Sequence, residues 1–260
     1  MQETPKQAPP TLSNQENPGI LQKAGLWKSG MPLRLHLGCG EQRFDGYVNI
    51  DYPPAHHNVM NVQPDAFANI LQLDFPAESV DEVRLHHVFE HFNRVTALAM
   101  LIRWHGWLRV GGLLRIETPD LVGSAKTLTS WRSSWKMKMA AARHLAGDQA
   151  ASWGYHLDHW FPERYQRTLS RLGFAKIKIN ASKWKHEPHL ANVDVTAYKI
   201  PLSPEEQLAA ADELLWESTV ADVETATFSV WKEQLRVVLK GGAALPAPVN
   251  AVSPAVSKSA

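Results

Sequence analysis

The 260-residue chain has one cysteine, no long apolar run and almost no net charge. A single thiol, Cys39, excludes an intrachain disulfide framework and any multi-cysteine zinc site. No stretch approaches the ~20 consecutive apolar residues that cross a bilayer, which excludes a helical membrane span. Lys and Arg number 27 against 26 Asp and Glu, so the formal charge is +1 and no nucleic-acid partner is expected. The first residues are polar and proline-dotted, without the apolar segment of a secretion signal, so a cytoplasmic location is the expectation. What the chain does have is histidine and tryptophan, twelve of one and ten of the other. The first suggests proton or metal chemistry, the second a stacking surface.

Composition divides the chain. Residues 1–30 contain Pro5, Pro9, Pro10 and Pro18 among Gln, Asn, Thr and Ser, and are expected to be a disordered lead-in. Residues 31–200 alternate strand-like and helix-like patterns. Leu33–Leu37, Tyr47–Ile50, Val80–Leu85 and Leu113–Glu117 read as strands, and Phe174–Asn180 and Val193–Ile200 as a final pair. Val95, Leu98, Ala99 and Ile102 mark a buried helical stripe between them. Such alternation predicts an α/β sheet with helices on both faces. Residues 201–240 form a helical extension opened by Ser203-Pro204-Glu205-Glu206, with a serine cap, a proline and a returning glutamate. Residues 241–260 read as a second disordered tail.

The most informative stretch is Leu33 to Glu41, a buried strand running straight into Gly38-Cys39-Gly40. Glycines there let backbone approach a ligand at the carboxyl end of a sheet. Asp51 closes the next strand, where a carboxylate can accept both hydroxyls of a ribose. A dinucleotide fingerprint wants a third glycine where Arg43 stands, and no Gly-Lys-Ser/Thr is present for a P-loop. A nucleoside lacking a pyrophosphate remains, and S-adenosylmethionine fits.

The ordered motifs LRLHLGCG (33–40), GYVNID (46–51), LDFPAESVDEV (73–83), HHVFEHF (86–92) and LRVGGLLRIETPDL (108–121) share a common context. With the H-x-x-H-W-F-P-E-R-Y element from His156, the chain resembles the class I S-adenosylmethionine-dependent methyltransferases, type 11 small-molecule group, over about Pro32 to Lys199. The resemblance implies a doubly wound, mostly parallel seven-strand sheet of the Rossmann-like methyltransferase type with a C-terminal helical extension. It places Gly38, Cys39 and Gly40 at the methionine and ribose end, and Asp51 on the ribose diol. It puts Asn69 and Ile70 at the adenine, where the family usually has an acidic residue, with Asp65 as the alternative. His86 and His87 fall in the loop facing the sulfonium, and Glu90 and His91 open toward the acceptor. The short interval from Gly40 to Asp51 implies an abbreviated or missing first helix. The implied reaction is O- or N-methylation of a small molecule, with a sugar or glycan precursor as the plausible acceptor.

His87-Val88-Phe89-Glu90-His91 also satisfies H-x-x-E-H, the inverted zinc-protease spacing, with Glu163 as a conceivable third ligand. That chemistry needs both histidines on one helix. Here the motif follows a strand at once, so the zinc hydrolase is the lesser reading and no metal is expected. His91, His156 and Glu90 are the candidate catalytic groups, since imidazole titrates near neutrality and can take a hydroxyl proton. His159 shares the segment of His156, and His56-His57 receives no role. Trp131, Trp135 and Met139 recur at helical spacing beside Arg132, Lys136 and Arg143 in a helix expected over 121–145. Core packing is the preferred reading there, a substrate lid the functional one. Trp153 and Trp160 flank the histidines and are the pocket candidates, while Trp104 and Trp107 should pack. A non-catalytic interaction module, or a homodimer through the C-terminal helices, are the partner readings.

Overall fold

The computed structural model describes residues 8–53, 60–184 and 186–241. Seven strands form one sheet in the order β3-β2-β1-β4-β5-β7-β6. They are β1 (Arg34–Leu37), β2 (Val48–Asp51), β3 (Ala66–Phe67), β4 (Val80–His86), β5 (Leu108–Pro119), β6 (Phe174–Lys183) and β7 (Ala191–Lys199). Leu35 of β1 pairs in parallel with Val48 on one side and Val83 on the other. Only β7 runs against its neighbours, with Ile116 opposite Val195. The chain winds outward from β1 in one direction and from β4 in the other, so the β1/β4 boundary is the switch point at which such sheets bind ligands. The mostly parallel, doubly wound sheet with an antiparallel final pair is the predicted one.

Helix α2 (Arg94–Trp107) is capped by the Asn93 side chain, which accepts the Thr96 N–H at 2.9 Å. It is buried around most of its circumference, from Val95 to Trp107. A helix lying on one sheet face exposes its other side, so something must cover it. The cover is α6 (Pro204–Trp216) and α7 (Thr225–Leu239), whose Ala211, Leu214, Leu215, Leu235 and Val238 join the same core as the sheet. The extension expected outside the sheet pattern is therefore the second layer of the core. Ser203 and Glu206 form the anticipated capping box. On α7, Val238 is buried, while Val230 is exposed, as is Val223 just before the helix.

The lead-in differs from its reading. Thr11 bridges Phe67 of β3, and Leu12 N–H donates to Phe67 O at 2.8 Å, so the segment adds to the sheet edge. Helix α1 (Asn17–Lys23) follows, with Leu12 and Leu21 buried in the core. Buried Asn17 donates to Asp74 O at 2.7 Å and fastens the helix to the loop after β3. Leu12, Leu21 and Asn17 are buried, and Ile20, Leu26 and Trp27 pack against the core, in a segment whose average composition is polar. Residues 1–7, 54–59 (with His56 and His57) and the 242–260 part of the expected tail lie outside the described residues. No helix among the described residues is long and apolar enough to cross a membrane.

Candidate active site

At the end of β1 the chain turns through Gly38 and Gly40, both at positive φ (67° and 53°). Gly38 and Cys39 both donate N–H to Ile50 O, at 2.9 and 3.1 Å, and tie the turn to β2. A Cβ on Gly38 would sit 2.5 Å from Val88 Cγ2, so the turn is pressed against the loop after β4. Among the described residues, a Cβ on Gly40 would find only Met60 Sδ, at 3.8 Å. Asp51, buried at the end of β2, accepts the Gly40 N–H at 2.6 Å and its neighbour Tyr52's N–H at 2.7 Å. No helix intervenes between β1 and β2, as the short spacing required. Burial, and then the Asp51 charge, push the Cys39 thiol up to about 12, so it is an unreactive spacer between the glycines.

Ile70 is buried and lies 3.4 Å from the position of a Gly38 Cβ. Asn69 opens a turn: its Oδ1 accepts Leu71 N–H at 3.0 Å, and its carbonyl accepts Leu73 N–H at 2.9 Å. Asp65, the alternative to Asn69, is committed elsewhere. It accepts from Asn49 N and Nδ2, both at 2.9 Å, and pairs with Arg43. Asp65 braces β2 rather than facing a ligand.

The carboxyl end of β4 delivers the histidines. His86 Nε2 lies 3.4 Å from Glu117 Oε2, and burial holds its pKa down at about 4. His87 takes φ 54°, a left-handed conformation rare for a side chain of this size, and its N–H donates to Glu117 O at 2.9 Å. That backbone kink aims Nδ1 at Glu90 Oε1, 3.1 Å away. Burial works against a charge on His87, but the Glu90 hydrogen bond and charge outweigh it and raise its pKa. Glu90 is almost fully buried. Desolvation alone would raise its pKa, yet His87 and the surrounding histidines bring it to about 2.

Residues 155–158 close over this carboxylate. Leu157 N–H donates to the Glu90 carbonyl at 2.8 Å, and His156 Nε2 lies 3.9 Å from Glu90 Oε1. His91 Nδ1 meets Tyr155 O at 3.0 Å, and the His91 and His156 rings stand edge to face at 4.7 Å. Burial lowers the His156 pKa to about 4, leaving a neutral ring at pH 7. All three candidate catalytic residues therefore meet, with His86 and His87 beside them. The sequence missed the outer members. His144 on α4 (Trp135–Ala146) contacts Asn192 Oδ1 at 2.8 Å, and Asn192 donates to Glu117 at 3.2 Å. The Trp184 ring stands 5.9 Å from His87. These residues lie 57 to 105 positions beyond His87 in the chain, and no spacing rule links them.

The inverted zinc-protease arrangement does not form. Phe89–His91 is one 3₁₀ turn, so His87 and His91 are not on a helical face. Glu163 joins neither of the two groups of ligating side chains among the described residues, which are His86-His87-Glu117 and Glu90-His91-His156. The expected 121–145 helix is broken into α3 (Leu121–Thr129) and α4, and the side chain of Ser134 caps the second. Trp131 and Trp135 are 85% and 76% exposed, which overturns their core packing. Trp160 is buried instead, stacked on Tyr165 at 4.7 Å with Arg164 over its face, so it is core and not pocket.

A cavity of about 380 Å³ lined by Asp74, Arg103 and Trp107 beside the end of α7 shares no residue with the crevice and none of its chemistry. No family model and no curated relative matches the chain. Solved structures similar to it include human N-acetylserotonin methyltransferase with S-adenosylmethionine bound. The identity is 15% over 65% of this chain and 48% of the human one, with a TM-score of 0.43. The matched region thus spans about half of the human enzyme. An S-adenosylmethionine-dependent methyltransferase from Mesorhizobium loti is 17% identical over 71% of this chain and 97% of its own, TM-score 0.42. One from Archaeoglobus fulgidus is 15% identical over 70% and 92%, TM-score 0.42.

Proposed function

We propose that this chain binds S-adenosylmethionine at the β1/β4 switch point and methylates a small-molecule or carbohydrate-like acceptor. The observation that carries the reading is the buried Asp51 carboxylate hydrogen-bonded to a Gly-x-Gly turn, both glycines at positive φ, at the carboxyl end of β1. Gly38, Cys39 and Gly40 would bring backbone against the methionine and ribose, Asp51 would accept from the ribose hydroxyls, and Asn69 and Ile70 would meet the adenine. The cofactor supplies an activated methyl on a positively charged sulfur. The residues that remain have only to align an acceptor with it, because positioning carries most of such a displacement. Glu90, His91 and His156 form the face that binds the acceptor, His87 orients Glu90 through its hydrogen bond, and His86 and His87 would lie toward the sulfonium.

Calorimetric titration with S-adenosylmethionine tests the reading. The wild type is expected to bind, and Asp51→Ala to bind more weakly by about 1–3 kcal/mol, the scale of lost charged hydrogen bonds. Asp51→Asn keeps one acceptor oxygen and should fall between them. No heat of binding at millimolar cofactor, in a sample with an intact folding transition, would sink the proposal.

A further inference from the structure

We propose that Glu90, His91 and His156 hold a divalent first-row transition-metal ion beside the acceptor face. Three ligating atoms from two segments, 90–91 after β4 and 156 before α5 (Pro162–Arg171), lie within 4.8 Å of one another. Bonds of about 2.1 Å in a tetrahedral set place donors roughly 3.4 Å apart, so side-chain rotation of about 1 Å closes the trio on an ion. Two polar atoms of the trio lack partners: Glu90 Oε2 and His156 Nδ1 are buried and make no hydrogen bond with any described residue. An unpaired carboxylate oxygen is costly to bury, and a cation between these groups removes that cost.

The surroundings orient the trio as outer-shell partners orient metal ligands. Tyr155 O can only accept, so His91 must carry its proton on Nδ1 and present Nε2 as a lone pair. His87 Nδ1 donates to Glu90 Oε1 and leaves Oε2 for the ion. The second trio is less suited. Both Glu117 oxygens are occupied, by His86 at 3.4 Å and Asn192 at 3.2 Å, and His87 is needed by Glu90. Two imidazoles and one carboxylate select zinc, cobalt, iron or nickel over magnesium or calcium, which prefer all-oxygen shells. Three protein ligands leave a position open. On the methyl-transfer reading above, that position would take the acceptor's oxygen and acidify its hydroxyl, whose proton would pass to solvent water while the oxygen takes the methyl and S-adenosylhomocysteine leaves, so the substrate is an oxygen acceptor. The ion site itself does not depend on that reading.

The experiment is zinc and cobalt titration of tag-free, chelator-stripped full-length protein, with metal counted after gel filtration and cobalt followed by its visible spectrum. One ion per chain is expected, with affinity reduced by more than roughly 100-fold in His91→Ala, His156→Ala and Glu90→Gln, and retained when the exposed His186 is replaced in His186→Ala. Thermal unfolding of each variant checks the fold. Should Glu90→Gln not fold, the two histidine variants decide. Absence of stoichiometric binding, binding untouched by His156→Ala, or binding lost in His186→Ala but not in His156→Ala would each overturn the site. S-adenosylmethionine titrations on stripped and zinc-loaded protein separate the two proposals. Cofactor binding without zinc binding refutes the ion alone, and zinc binding without cofactor binding refutes the methyl-transfer reading alone.

Discussion

Replacing Gly38 by alanine tests the turn on which the site is built. Two costs follow from the structure. At φ 67° an L-residue pays about 1–2 kcal/mol for left-handed backbone. The new methyl would also lie 2.5 and 3.1 Å from the two Val88 methyls, an overlap of the kind that costs about 1–3 kcal/mol in a packed interior. Gly38→Ala should therefore destabilise by about 2–5 kcal/mol, a large share of an ordinary domain's stability. Gly40→Ala has the positive φ but no neighbour within 3.8 Å, so only the first cost applies and about 1–2 kcal/mol is expected. Urea unfolding of Gly38→Ala, Val88→Ala and the double variant isolates the overlap as a coupling of about 1–3 kcal/mol. Equal losses at the two glycines, or a coupling near zero, would refute the close approach of turn and β4 loop. If Gly38→Ala does not fold, recovery of folding in the double variant carries the same information.

Two further predictions concern residues behind the site. His36 is fully buried on β1 and bonded to Asn49 Oδ1 at 3.1 Å, and burial lowers its pKa to about 4. The unfolded chain takes up this proton from pH 6.5 downward while the folded chain refuses it, so stability present above pH 6.5 is lost as pH falls to 4, by up to about 3 kcal/mol. His36→Leu removes the titration, and Phe44 N–H still serves Asn49 Oδ1. Its unfolding free energy should change less steeply over pH 4–6.5, and parallel curves would show that His36 does not titrate this way. Arg103 of α2 donates to Leu71 O and Leu73 O, each at 2.6 Å, and so pins the segment carrying Asn69 and Ile70. Arg103→Ala should destabilise by about 2 kcal/mol and weaken cofactor binding with it. Unchanged stability in chemical denaturation would mean that the two carbonyls find water as readily.

The sheet was legible because its strands carry their own signals. Leu33–Leu37 alternates apolar and polar and stops at a glycine, and the Ser203 box declares a helix start within four residues. Burial across long sequence distances was not legible. Leu12 reads as one apolar residue in a polar lead-in until Phe67 lies beside it. The Trp131, Trp135 and Met139 spacing is helical, but periodicity cannot say whether a stripe meets a core or solvent, and the run of serines at 130, 133 and 134 that splits the helix was the better signal. The H-x-x-E-H spacing misled for a related reason: it counts residues, whereas the positive φ of His87 decides where each side chain points.

The candidate site joins two halves of different character. The β1–β2 side recognises by backbone: two glycines, a thiol held inert by burial, and one carboxylate. The β4–β5 side is built from ionisable side chains that balance one another around Glu90 and Glu117. A backbone turn tolerates little movement, and a buried charged cluster tolerates little loss of a partner. The halves meet where Val88 presses on Gly38, one residue beyond the strained His87. Anything that shifts Val88 therefore moves the glycine turn and the aim of His87 at Glu90 together. Cofactor contact and acceptor chemistry are coupled through packing at that one point, and Val88→Ala should loosen both, although its side chain belongs to neither.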